Sequence, residues 1–532
     1  MTTPPHGGPD RDPGPGPAVQ VPSSFGAGDP PPGPVDLRAG CHGLPPLSAR
    51  LAPWMQELLA DPVACTQLLE EHGSPLNVHD FCALADNAEE LTDVAEAHGV
   101  DLRIFVARKA NKTLGLVEAA HRAGLGLDVG SHRELAQVLD LGVPGRDVVV
   151  TAAIKPRPLL RLALEAGTTL VLDNLDEAAA VAQELSAAPG TPPGAGPPLT
   201  LRLAPTPGGA VGPTRFGESA GTWQRWAASQ DAPDGMRIAG LHFHLHGYDP
   251  LARARALGEA FALVDALRGA GHHLHFIDIG GGIPMSYLDD AEEWTSFWEA
   301  HDGQGEDPGP SPTWRGEPLR QVYPYHQRVV RGQWLDSVLR AEALPGTTVA
   351  EALRERGLEL RCEPGRSMLD GCGVTLARVI QRTATSDGIP LVGLEMNRTQ
   401  CRSTSDDFLV DPLLVRAGGP PSEPMDAFLT GAYCIEAELI LRRRLRFPEG
   451  VGIGDVIALP NTAGYLMHIL ESASHQIPLA SNVVRGAEGF DRDRIDAVAP
   501  QRPWRDPALA ARLRRRSDSP RRRGGGSPAP SC

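Results

Sequence analysis

The sequence predicts an α/β protein, a TIM-like (β/α)8 barrel followed by a C-terminal β-barrel or sandwich domain. Three observations carry this reading. Eight short β-rich runs recur, at Ile104–Lys109, Gly126–Asp128, Val148–Thr151, Leu170–Asp173, Thr200–Leu203, Gly240–His244, Phe276–Ile279 and Leu360–Glu363. Helical patterns separate most of them, for example Leu114–Ala123, Arg133–Leu141, Pro158–Ala166 and Leu175–Leu185. Beyond Glu363 the alternation stops, and Gly373–Ile380, Ile389–Glu395 and Val456–Leu459 read as strands joined by turns. Strands alternating with helices imply parallel βαβ units. Eight of them close naturally into a barrel. An open doubly wound sheet of the same units is the alternative.

In chain order, residues 1–45 are rich in Pro and Gly and are expected to be disordered. A short strand within Ser74–His79 and a helix near Ala83–His98 precede the first barrel strand. The barrel is expected over residues 78–368 and the β domain over 369–492. Ala187–Pro198 reads as a Pro/Gly loop, and His301–Glu317 as a polar insertion near the barrel mouth, either a lid or padding. The tail, residues 493–532, carries Arg514, Arg515, Arg516, Arg521, Arg522 and Arg523 among Ser, Pro and Gly. It is expected to be a disordered basic tail, solvated or touching an acidic surface.

Composition narrows the function classes. The net charge of −16 disfavours nucleic acid as a partner. No run of about 18 apolar residues occurs, so no membrane span is expected. The start lacks a charged segment followed by an apolar one, which points to the cytoplasm rather than export. The cysteines Cys41, Cys65, Cys82, Cys362, Cys372, Cys401, Cys434 and Cys532 form no CxxC pair. A disulfide framework or structural zinc site is therefore not expected, though any single thiol could be catalytic.

The unusual residues fall at strand ends. Lys109, Asp128, His244, the Gly280-Gly281-Gly282 run and Glu363 close or follow the first, second, sixth, seventh and eighth runs. In a barrel these ends share one rim, where active sites lie. Burying an ammonium is costly, and a desolvated lysine of lowered pKa can form a Schiff base. The structural alternative is a lysine that reaches out to the rim. Three glycines let a backbone approach a ligand and cradle a phosphate; the alternative is a plain tight turn. Glu363-Pro364-Gly365-Arg366 suits a cofactor with a basic ring nitrogen and a phosphate, or forms a surface ion pair. Gly124–Gly130 does not fit GxGxxG, which leaves a nicotinamide cofactor little support. The rival constellation is His242, His244 and His246. Alternate strand residues face one way, so this run could bind a metal, as in a metal-dependent barrel hydrolase. Such hydrolases, however, carry HxH on the first strand, and here it lies on the sixth. His272, His273 and His275 are expected at the surface or a strand edge.

Taken together, Lys109-Ala110-Asn111, Gly240-Leu-His-Phe-His244, Asp278-Ile-Gly-Gly-Gly282, Glu363-Pro-Gly-Arg366, Tyr433-Cys434 and Ala463-Gly464-Tyr465 resemble the motifs of one family. The chain resembles the fold-type III pyridoxal-phosphate enzymes, in the diaminopimelate/ornithine/arginine decarboxylase family, from about Gly73 to Val484. The resemblance implies an alanine racemase-like barrel and a β domain built partly from the N-terminal segment, residues 46–77 with the strand Pro75–His79. It implies a homodimer with shared active sites and pyridoxal 5'-phosphate as cofactor, with no metal. Lys109 would hold the cofactor as a Schiff base, with Asp128 also in the cofactor-binding set. His244 would stack on the ring and Glu363 would pair with its nitrogen. Gly280, Gly281, Gly282, Arg366 and Tyr465 would hold the phosphate. Cys434 would return a proton to the α-carbon. The implied reaction is loss of the α-carboxylate from an amino acid, with Glu436 or Glu438 reading a basic or diamino side chain. A racemase on the same fold is the nearest alternative. The chain departs from the family at His244-Leu-His246-Gly247-Tyr248, where His-x-Gly-Ser is usual. It departs also at Ile435, where an acidic residue is usual, and over Glu395–Asp407. These positions lie where substrate would be read, so a divergent branch with its own substrate is expected.

Overall fold

The computed structural model describes residues 36–187, 199–229, 238–304, 310–320, 322–403, 408–417 and 419–498. Most of the expected disordered arm and basic tail, the Pro/Gly loop after Ala187, Cys532 and residues 404–407 lie outside them.

All eight anticipated runs are strands of one closed parallel barrel. They span Leu102–Ala107, Gly126–Val129, Val148–Val150, Thr169–Leu172, Leu199–Arg202, Ile238–His242, Phe276–Asp278 and Glu359–Cys362. The last strand closes the ring, pairing Leu360 with Leu102 on one side and with Ile277 on the other. The open-sheet alternative is thereby removed. The second to fifth strands are buried along their whole length, as expected where helices cover a parallel sheet. Side chains alternate between two environments. Ile104 and Val106 join the large core against the helices, whereas Phe105, Val149 and Val171 form a separate small cluster. Arg361 stands over Phe276 at 3.5 Å from the ring centroid.

Seven of the eight strands end one or two residues earlier than the sequence suggests, and at three of them this moves a candidate residue off the strand. The first stops at Ala107, so Lys109 sits in the short 3-10 turn Arg108–Ala110. The sixth stops at His242 and the eighth at Cys362, leaving His244 and Glu363 on the loops that follow. The backbone there makes other bonds: the Ala107 N–H donates to Pro364 O at 3.2 Å and the Glu363 N–H to Gly280 O at 3.0 Å.

The second sheet contains ten strands among the described residues. Leu76–His79 lies inside it, antiparallel to Gly373–Ala384 and parallel to Ser481–Arg485. The N-terminal strand therefore belongs to the second sheet although the barrel follows it in the chain. Regular structure also begins earlier than expected, since His42–Gly43 pairs with Leu445–Phe447. It likewise continues past 492. Asp493 accepts the N–H groups of Leu114 and Gly115 at 3.0 and 2.7 Å, and the turn Arg494–Ala497 follows. A carboxylate at exposed helix N–H groups is stabilising, which accounts for order at the start of the anticipated tail. The described end of the His301–Glu317 insertion lies on the second sheet. Trp314 N donates to Arg442 O at 2.9 Å, and the indole packs edge-on against Phe428. No helix among the described residues is long and apolar enough to cross a membrane.

Candidate active site

The loops after several barrel strands surround a cavity of about 640 Å³. Lys109, His244, Gly281, Gly282, Glu363, Arg366 and Tyr465 all line it. Residues spread over most of the described chain thus meet at one mouth.

Lys109 Nζ donates to Asp128 Oδ2 at 2.7 Å, and its side chain is about half open, at 47 %. Asp128 is buried and also accepts the Thr151 hydroxyl. Burial alone would lower the lysine pKa, but the charge of Asp128, helped by Tyr465 and Glu363, outweighs it and raises the value. This corrects the expectation of a lowered pKa: the lysine is an ammonium matched by a buried carboxylate. Lys112 turns away and pairs with Glu471, outside this cavity.

The glycine run is a structural necessity as well as a lining. Gly280 and Gly282 hold φ of +65° and +81°, values side-chain-bearing residues seldom adopt. A Cβ on Gly281 would stand 2.9 Å from the Glu363 carbonyl. Two of the run's amides are already engaged, Gly280 N–H with Asp278 Oδ1 at 2.8 Å and Gly281 N–H with His244 Nδ1 at 3.1 Å. The second bond fixes the imidazole against the glycine turn. His244 opens onto the cavity, and its pKa is held well below the usual value by desolvation and by Arg253 and Lys109.

Arg366 Nη1 donates to Tyr287 Oη at 2.8 Å and to Gly464 O at 3.3 Å, and its guanidinium lies 4.1 Å from the Tyr323 ring centroid. Tyr465 reaches the cavity from the second sheet's side of the chain with φ +67°, its N–H bonded to Ala110 O at 2.8 Å. Gly365 leaves room for it: a Cβ there would come within 2.5 Å of Tyr465 Oη.

Glu363 lies 3 % exposed at the cavity floor. Its Oε1 is 3.3 Å from His242 Nε2, and Asp278 is the third member of the cluster. Burial raises both carboxyl pKa values; the charge of Glu363 adds to it at Asp278, and the charge of Asp128 adds to it at Glu363. Two carboxyls this close share a titration. The histidine run does not form one site. His242 is fully buried, whereas His244 and His246 both line the cavity. Among the described residues the grouping with metal-ligand spacing is His242 with Asp278 and Glu363, and it excludes the other two histidines. The sequence reading missed Arg202 and gave Asp278 no role of its own. Arg202 closes the fifth strand and bonds His242 Nδ1 at 3.1 Å. A charged residue ending an apolar strand, the signal that marked Lys109, marks Arg202 too. Tyr248, Tyr323 and Ser403 also line the cavity; they stand on loops, where periodicity carries no signal.

Asp128 and Gly280 stand just behind the lining, bonded to Lys109 and Asp278, and three further anticipated residues stay outside the cavity of their own chain. Cys434 and Glu436 are exposed. Glu438 is buried, accepting Arg398 N–H at 2.7 Å with the Arg398 guanidinium at 3.6 Å. Its Oε1 is thereby engaged within the second sheet's loops, away from the cavity.

Residues 84–302 match the family described as "Pyridoxal-dependent decarboxylase, pyridoxal binding domain". An uncharacterized protein, y4yA of Sinorhizobium fredii, is 32 % identical over 458 residues, covering 84 % of this chain and 95 % of that one. A diaminopimelate decarboxylase of Pseudomonas fluorescens is 25 % identical over 460 residues, covering 83 % and 95 %. Among solved structures, diaminopimelate decarboxylase from Helicobacter pylori complexed with L-lysine shares the fold with a TM-score of 0.59 at 18 % identity, covering 81 % of this chain and 97 % of that one. Extended similarity through both the barrel and the second sheet places the chain in the fold-type III pyridoxal-dependent decarboxylase family.

Proposed function

We propose that the chain removes the α-carboxylate of an amino acid, using pyridoxal 5'-phosphate held on Lys109. The supporting observation is the convergence of an amine, a buried carboxylate, an arginine and a glycine turn on one cavity of about 640 Å³. These groups fit the cofactor. Lys109 offers the amine for its aldehyde. Glu363 brings a buried carboxylate to the cavity lining, suited to a protonated ring nitrogen. Arg366, Tyr465 and the glycine turn offer a cradle for a phosphate, which an arginine fork matches well. When bound, the cofactor supplies the electron sink for breaking the bond to the carboxylate.

The chain's own groups do the placing. His244, pinned by Gly281, gives a flat neutral surface for the ring. Asp128 neutralises Lys109 while the amine is charged and helps keep it aimed at the cavity. Cys434 delivers a proton to the α-carbon from a second subunit, since it does not line the cavity of its own chain. A thiol suits that task near neutral pH. Glu436, exposed beside Cys434, is the better placed candidate to read a distal ammonium, since Glu438 is buried with Oε1 bonded to the Arg398 amide.

The test is a panel of amino acids offered to the cofactor-loaded protein, with released carbon dioxide and optical rotation followed together. Carbon dioxide from one or a few substrates is the expected result. Racemisation without release overturns decarboxylation and leaves the cofactor assignment standing.

A further inference from the structure

Behind Glu363 runs a buried chain of polar groups that binding and placement have not yet used. Lys155 Nζ donates to both Glu177 oxygens at 2.9 and 3.0 Å, and Glu177 Oε2 accepts Asp173 N–H at 2.7 Å. Asp173 Oδ1 accepts Arg202 Nη1 at 2.7 Å, Arg202 Nη2 donates to Thr151 O at 3.1 Å, and Arg202 Nε donates to His242 Nδ1 at 3.1 Å. On the other side, Asp278 Oδ1 accepts Gly280 N–H. Asp278 Oδ2, Glu363 Oε1 and His242 Nε2 have no geometrically good partner and cluster together.

Three such atoms can hold either a metal ion or protons. The histidine tautomer decides. An arginine N–H can only donate, so His242 Nδ1 must accept. A neutral imidazole then carries its hydrogen on Nε2, which leaves no lone pair there for a metal. The ring stays neutral because burial and Arg202 push its pKa down to about 3. The 3.3 Å approach of Nε2 to Glu363 Oε1 is thus a donor meeting an acceptor. The two carboxyls cannot both ionise in a dry site, so one proton stays between them.

We propose that His242, locked by Arg202, is a positioning residue that donates Nε2–H to Glu363, while Asp278 retains a proton, so that Glu363 presents a single oriented negative charge to the cavity. The consequence for the cofactor ring rests on the function proposed above; the proton arrangement does not. The charged and titratable groups facing Glu363 are Asp128, Lys109, Arg202, Asp278 and His242.

Two readouts on the cofactor-free protein test the arrangement. Nitrogen-15 spectra of labelled histidine should show His242 neutral and protonated on Nε2 throughout the range of about pH 5 to 8 where ordinary imidazoles titrate. Infrared spectra should show one buried protonated carboxyl at neutral pH that is lost in Asp278→Asn. Cofactor affinity is then compared in two variants of equal size class. His242→Gln keeps a donor and should bind within about twofold of wild type, whereas His242→Leu should bind about tenfold more weakly, a donor's worth of interaction. An Nδ1-protonated or charged His242 overturns the proposal. So does equal affinity of the Gln and Leu variants, or a stoichiometric divalent ion in the purified protein. If no amino acid loses carbon dioxide yet the spectra are as expected, the proposed reaction fails and the proton arrangement stands.

Discussion

Lys109 and Asp128 show how one ion pair can oppose the task assigned to the lysine. An amine must be neutral to attack an aldehyde, yet Asp128, 2.7 Å away, holds it charged. Burial pulls the other way, so removing the carboxylate leaves burial to act. In Asp128→Asn, attachment of the cofactor should shift its pH profile to lower pH by about one unit or more, making attachment ~tenfold faster at fixed neutral pH. Stopped-flow absorbance measures this, and an unmoved profile contradicts the role given to Asp128. The Asp278–Glu363 carboxyl pair behaves in the opposite sense. Burial raises the pKa of both groups. The folded pair therefore keeps one proton that the unfolded chain releases from about pH 4 upward. Stability is lost as pH rises from there through the folded value, and is flat above it. Glu363→Gln should flatten that loss and stabilise the cofactor-free protein at pH 8 by on the order of 1 kcal/mol, while weakening cofactor binding. Urea titrations at pH 5 and pH 8 decide it.

The loops that carry these residues depend on glycine for space, not only for flexibility. Gly365 has an ordinary backbone, but a Cβ there would meet Tyr465 Oη. Gly365→Ala should displace the phenol and weaken cofactor binding ~tenfold, with a stability change below about 1 kcal/mol. Equilibrium dialysis and thermal melts separate the two effects; unchanged binding would remove Tyr465 from the phosphate site. The barrel strands were legible because each is a short apolar run ended by a residue that does not belong there, as in Val106-Ala107-Arg108-Lys109. The polar ends identified most of the cavity for the same reason. Pairing partners were less legible. Nothing local in Leu76–His79 says that it joins strands near residues 373 and 481; that required the family resemblance. The Arg202–His242 contact was hidden because each residue alone has a simpler reading. The Glu438–Arg398 contact was hidden because spacing from Cys434 says nothing of Arg398, which lies in a distant loop.

At the scale of the whole molecule, the cavity of one chain lacks the thiol and the exposed carboxylate expected to complete it. Cys434 and Glu436 sit outside it and open to solvent. A second copy supplying them explains both facts. Mixing Lys109→Ala chains with Cys434→Ala chains should restore activity to about a quarter of the wild-type level. In a random mixture, half the dimers are mixed and each carries one intact site. No recovery in a verified heterodimer contradicts shared sites. The claim on which the rest depends is that this barrel mouth holds the cofactor covalently on one particular lysine. Borohydride reduction of the cofactor-loaded protein, followed by peptide mass mapping, tests it most directly. The cofactor's mass should be found on Lys109. Its appearance on Lys112, or on no lysine, would contradict the site described here.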